Sequence, residues 1–151
     1  MHHWTKTASL VLLGVTAAFA IACGGGESGG AAAKAGTAAS GGPAVTVGLK
    51  EFAIEPDKKS VPAGAISFRA QNKGATPHEL QVIKTDVAAD KIPVKDGKAD
   101  LTGLQVIGKT SEFAGGKTES VNVTLTAGKY LLVCNVPAHY IAGMTTAFTV
   151  E

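Results

Sequence analysis

From residue 44 onward, apolar and polar residues alternate in short runs. Val45, Val47 and Leu49 alternate with Thr46, Gly48 and Lys50, and Ile66, Phe68 and Ala70 with Ser67, Arg69 and Gln71. His78, Leu80 and Val82 alternate with Glu79, Gln81 and Ile83, and Val121, Val123 and Leu125 with Ser120, Asn122 and Thr124. Tyr130, Leu132 and Cys134 share one face of a further run, and Met144, Thr146, Phe148 and Val150 one face of the last. A period of two is the mark of a half-buried strand. Turn residues separate the runs at Pro62-Ala63-Gly64, Asn72-Lys73-Gly74 and Ala127-Gly128-Lys129. Short strands at this spacing, with no helical period, predict an all-β sandwich or barrel. The stretch from Asp86 to Phe113 breaks the pattern. A helical turn over 86–91 and a strand over 104–107 are expected there, within a flap that is only partly ordered.

Before residue 44 the pattern is of another kind. Lys6 and the apolar run Leu10–Ala22, which ends in small residues, predict an export signal over residues 1–22. The run is shorter than the roughly 20 apolar residues of a membrane-spanning helix. It closes on Ala20-Ile21-Ala22-Cys23, followed by three glycines. This resembles the lipobox of bacterial lipoproteins, in which the Cys becomes the lipidated first residue, although Ala20 stands where that family usually has Leu. Lipidation at Cys23 is the expectation; the alternative is an ordinary secretory signal that leaves Cys23 a spare thiol. Residues 23–43 are mostly Gly, Ala and Ser with almost no large apolar side chain. Such a segment cannot offset its ordering entropy and predicts a flexible tether, with a reach of about 25 Å for about twenty residues. The folded domain is expected over 44–151.

Composition changes the picture at two points. Lys+Arg 14 against Asp+Glu 12 gives a net charge of +2, which implies no nucleic-acid or polyanion partner. The two cysteines matter more. With Cys23 lipidated, Cys134 has no partner for a disulfide, and a lone thiol in an exported protein is either an inert small hydrophobe or a ligand. His2 and His3 precede the signal cut, so the remaining chain has two histidines, His78 and His139, and one methionine, Met144. Strand alternation puts His78, Cys134 and Met144 on buried faces, and His139 falls in the loop between the last two runs. The spacing is Cys134-x4-His139-x4-Met144, with His78 far upstream. One thiolate, two imidazoles and a thioether form a soft donor set that selects copper, in the pattern of a blue-copper electron-transfer site. Zinc is the chemical rival, but structural zinc takes four Cys or His ligands.

The segment LLVCNVPAHYIAGMTTAFTV (131–150) resembles the C-terminal signature of small cupredoxins. FRAQNKGATPHELQV (68–82) resembles that family's first-His segment, with Asn72 and Gly74 ahead of His78. The Cys-x4-His-x4-Met loop is similar to that of auracyanins and rusticyanin and longer than that of plastocyanin. The resemblance implies a Greek-key β-sandwich with one type 1 copper near one end. His78, Cys134 and His139 would be equatorial and Met144 axial, with an edge of His139 open to solvent. Two residues depart from the family. Ala138 stands where related sequences often have Gly, and Glu79 where plastocyanin and azurin have an Asn that ties the first-His segment to the Cys loop. The backbone N–H of Glu79 is left to donate toward the Cys134 sulfur.

The expected function is single-electron transfer between redox partner proteins at the cell envelope, by a monomer anchored to the bilayer through its lipid and facing the periplasm or cell exterior. Pro77, Pro137, Ala138, Ile141 and Ala142 are candidates for an apolar docking patch, and Tyr140 for a packing role. The alternative is a copper carrier that delivers the metal to an oxidase. An enzyme would need a second, His-rich copper site, and no histidine remains for one. A copper-free structural sandwich is the last alternative.

Overall fold

The computed structural model describes residues 42–151. Residues 1–22, Cys23 and nearly all of the 23–43 segment lie outside the described residues. The alternating runs become β1 (Ala44–Lys50), β4 (Gly64–Asn72), β5 (Gln81–Lys84), β9 (Thr118–Leu125), β10 (Gly128–Val133) and β11 (Thr145–Val150). Five further strands join them: β2 (Ala53–Pro56), β3 (Ser60–Val61), β6 (Val94–Lys95), β7 (Lys98–Ala99) and β8 (Gln105–Lys109). One sheet has the order β2-β1-β4-β9 and the other β3-β11-β10-β5-β8, with β6 and β7 as a separate hairpin. β1 runs parallel to β4, with Val45 opposite Phe68, and β3 runs parallel to β11. The other pairings are antiparallel, among them Tyr130 opposite Phe148 and Leu132 opposite Val82.

Alternation explains why the sheets stack. The inward residues of β1, β4 and β9 meet those of β5, β10 and β11 in one core. Phe68 of one sheet packs edge-on against Phe148 of the other, with ring centroids 5.3 Å apart. Each such buried side chain contributes about 1.5–3 kcal/mol, so the sandwich expected from the pattern follows from one apolar face per sheet.

The stretch 86–104 differs from expectation. No helix forms over 86–91; the segment makes one turn closed by the Lys91 N–H on the Ala88 carbonyl. Nor is it only partly ordered. β6 and β7 are joined by Asp96 and Gly97, both at positive φ (52° and 77°), as a two-residue hairpin turn requires. Ile92 and Ala99 of this flap pack on Ile83, Leu131 and Val133 in a second, smaller core. β5 and β10 are therefore buried on both faces. That is why Ile83 is as fully buried as Leu80 and Val82.

Candidate metal centre

His78, Cys134 and His139 meet at one end of the sandwich. His78 precedes β5 and is fixed by a two-bond bridge: its N–H donates to the Phe113 carbonyl (3.1 Å), and its carbonyl accepts from the Phe113 N–H (2.9 Å). Cys134 follows the last residue of β10, and Met144 precedes the first of β11. The Cys134 N–H donates to the Met144 carbonyl, and the Met144 N–H to the His139 carbonyl, both at 3.0 Å. The ligand loop is thus closed on itself by its own backbone. His78, Cys134 and Met144 are fully buried, and His139 is 8% exposed.

The donor atoms form a triangle. His78 Nδ1 and His139 Nδ1 are 3.1 Å apart, and the Cys134 sulfur lies 3.8 Å from the first and 3.5 Å from the second. The point equidistant from all three is about 2 Å from each corner, close to the ~2.0–2.3 Å over which transition metals bond nitrogen and thiolate sulfur. Two imidazoles and a thiolate are also the donor set that copper favours. The three residues therefore fit one copper ion. Met144 joins Cys134 in the main core cluster, beside this triangle in the chain.

Electrostatics prepare the donors unequally. Burial pushes the His78 imidazole below its ordinary range, with the neighbouring His139 adding to the effect, so it is neutral at pH 7. Burial also pushes the Cys134 thiol up, while the backbone N–H groups of Glu79 and Val136 pull the other way. The Glu79 N–H lies 3.5 Å from the sulfur, as expected, and the Glu79 side chain turns away to accept from Gln81.

Several supporting residues were not anticipated from the sequence. Asn72 is buried and orders the approach to His78. Its amide donates to the carbonyls of Thr76 (2.8 Å) and Phe113 (3.0 Å), and its oxygen accepts from the Gly74 N–H (3.0 Å). Only its place in the first-His segment hinted at this. Glu51 and Phe52, the two-residue connection from β1 to β2, lie over the two histidines. Glu51 accepts the N–H groups of Ala75 and Thr76 and the Thr76 hydroxyl, bonds that hold its carboxyl down to about 2. The Phe52 ring meets the His139 ring edge-on at 5.3 Å. His139 is consequently more covered than expected, with Phe52 itself 46% exposed beside it. Nothing local to residues 51–52 signals these contacts. Tyr140 is a packing residue, buried with its hydroxyl bonded to the flap at Ala89 and Ile92.

Solved structures of known proteins resemble this fold. An auracyanin from the photosynthetic bacterium Roseiflexus castenholzii, solved in a dithionite-reduced state, is 27% identical; the match covers 72% of this chain and 95% of that one, with a TM-score of 0.52. Auracyanin A, a "blue" copper protein from the green thermophilic photosynthetic bacterium Chloroflexus aurantiacus, is 22% identical over 73% of this chain and 100% of that one, with a TM-score of 0.50. Reduced rusticyanin is 21% identical over 74% of this chain and 81% of that one, with a TM-score of 0.51. At their lower identity the last two show the shared fold alone. No curated protein sequence matches the chain significantly. Residues 43–151 match the family described as copper binding proteins of the plastocyanin/azurin type. With a buried donor triangle sized for one copper in a two-sheet sandwich, and a family match over most of its length, the chain belongs to the plastocyanin/azurin family of copper-binding proteins.

Proposed function

We propose that this protein carries single electrons between redox partners at the cell envelope, and that His78, Cys134, His139 and Met144 would hold the one copper ion that does so. The observation that carries this reading is the buried triangle of two imidazole nitrogens and one thiol sulfur. When bound, copper supplies a one-electron Cu(I)/Cu(II) couple. The protein's part is to hold the donors still. His78 is pinned by its bridge to Phe113, and Cys134, His139 and Met144 by the bonds that close their loop. Little rearrangement then accompanies a change of charge. Cys134 gives up its proton on loading, since the thiolate is the ligand.

Both histidines beyond the signal segment stand in this one site, which leaves none for a second, His-rich copper site. We therefore read a carrier of electrons, not an enzyme. Pro77, Pro137, Ala138, Ile141 and Ala142 are all exposed around the ligand loops, and Phe52 adds a ring beside them. Such a surface suits brief docking, where interfaces are small. In this reading a lipid on Cys23 and the 23–43 tether keep the domain near the membrane, outside the cytoplasm.

Purified protein loaded with Cu(II) is expected to show an intense thiolate-to-copper visible band and reversible one-electron reduction, both abolished by Cys134→Ala. A colourless protein, or copper that passes rapidly to a chelator, would favour copper delivery and overturn electron transfer.

A further inference from the structure

We propose that Glu51 is a positioning residue of the copper site: its carboxylate serves as the hydrogen-bond acceptor for the Nε2–H of His78, whose proton stays on the ring, and holds a fixed negative charge behind that imidazole. The inference rests on the reading of His78 as a ligand through Nδ1. A neutral imidazole that offers Nδ1 to a metal carries its proton on Nε2. In His78 that nitrogen is buried and has no hydrogen-bond partner. The Glu51 Oε1 atom stands 3.5 Å from it.

Glu51 does not reach this place by chance of rotation. The same Oε1 accepts the Ala75 N–H at 2.8 Å, and the Thr76 N–H and hydroxyl at 2.7 Å each. These three donors belong to the segment that leads into His78. The carboxylate rests over Gly74, where a Cβ would overlap it. The turn after β1 is thereby locked to the loop before β5, with an acceptor facing the orphaned ring nitrogen. A carboxylate behind a metal-bound imidazole fixes its tautomer and raises its basicity. Its charge also lowers the energy of the more positive metal state. Glu51 therefore favours Cu(II) over Cu(I).

Two variants of the copper-loaded full chain separate charge from position. Glu51→Gln keeps an oxygen for the Ala75 and Thr76 donors and removes the charge. It is expected to raise the ratio of Cu(I) to Cu(II) affinity about tenfold, a rise of about 59 mV for a one-electron couple. Gly74→Ala leaves Glu51 in the chain but displaces its flexible carboxylate. It is expected to move the potential the same way by less, and to speed solvent exchange of the His78 Nε2 proton, read by NMR in the diamagnetic Cu(I) form. That proton should exchange slowly in the unmodified protein, a measurement that needs no variant. A Glu51→Gln potential equal to that of the unmodified protein overturns the proposal, as does an Nε2 proton exchanging as freely as in an exposed imidazole. In both of those outcomes the visible band stays. Loss of the band from the unmodified protein would instead overturn the ligand reading beneath the proposal.

Discussion

Ala138 stands at φ 70°, in the left-handed region that residues with a Cβ rarely adopt. Its N–H donates to the Gly97 carbonyl at 2.8 Å and its carbonyl accepts from Ala142 at 3.0 Å, so the surrounding bonds hold it there. The left-handed conformation costs a non-glycine residue roughly 1–2 kcal/mol, against roughly 0.5–1 kcal/mol of extra chain entropy for glycine. Ala138→Gly is therefore expected to stabilise the protein by about 0.5–1 kcal/mol, read as a higher denaturant midpoint with the visible band unchanged. If Met144 is the fourth donor proposed above, Met144→Leu should retain copper and colour at an altered potential, since a thioether donor tunes the couple; an unchanged spectrum and potential would remove Met144 from the ligand set. His78 gives a pH dependence to the copper-free protein. Its folded form holds a proton less readily than the unfolded chain, whose imidazole titrates near 6.5. As pH falls through that value the unfolded state takes up the proton first, so stability drops with falling pH. Denaturant midpoints should decrease from pH 7.5 to 5.5, and His78→Gln should flatten that slope.

At the level of elements, the flap over residues 86–104 acts as a clasp on the ligand loop. Asn135, the residue after Cys134, donates to the Ala99 carbonyl (3.1 Å) and accepts the Ala99 N–H (2.8 Å). Tyr140, the residue after His139, accepts the Ile92 N–H at 3.0 Å and donates to the Ala89 carbonyl at 2.9 Å. Each residue beside a ligand is thus tied to the same flap. Tyr140→Phe leaves the buried Ile92 N–H without a partner, a loss of about 1–3 kcal/mol. Equilibrium denaturation should show that loss, with the copper band retained but broadened by a looser loop. Six strands were legible because the core-facing residues of each recur with period two, although β5 and β10 bury their other face against the flap as well. β2 and β3 were not, since one ends in Pro56 and the other has two residues. The hairpin of β6 and β7 carried a readable Asp96-Gly97 turn signal, but its flanks, Val94–Lys95 and Lys98–Ala99, are too short for a period to show.

Across the whole domain, the core and the metal centre are separable. The main cluster draws on both sheets and needs no metal to be buried. Removing copper with a chelator should leave the far-ultraviolet signature of β-structure intact. It should lower the melting temperature, because a ligand that binds only the folded state adds stability by mass action. A chain that lost its secondary structure with the metal would contradict this. The same separation marks what each level of description carries. By itself the sequence determined the all-β class, six of the strands and the four candidate ligands. Alternation assigns faces locally, and residues 44–151 offer only two histidines, one methionine and Cys134 for a soft donor set. The tertiary structure alone decided that the flap clasps the ligand loop and that Glu51 and Phe52 lie over His78 and His139. The physical reason is distance along the chain. Glu51 meets the segment before His78 because β1 pairs in parallel with β4, Leu49 opposite Asn72, so that the residues after both strands leave the sheet side by side; Phe52 meets the ring of His139 because that loop joins two strands of the opposite sheet, packed over the end of β1. No local pattern of residues encodes such a contact.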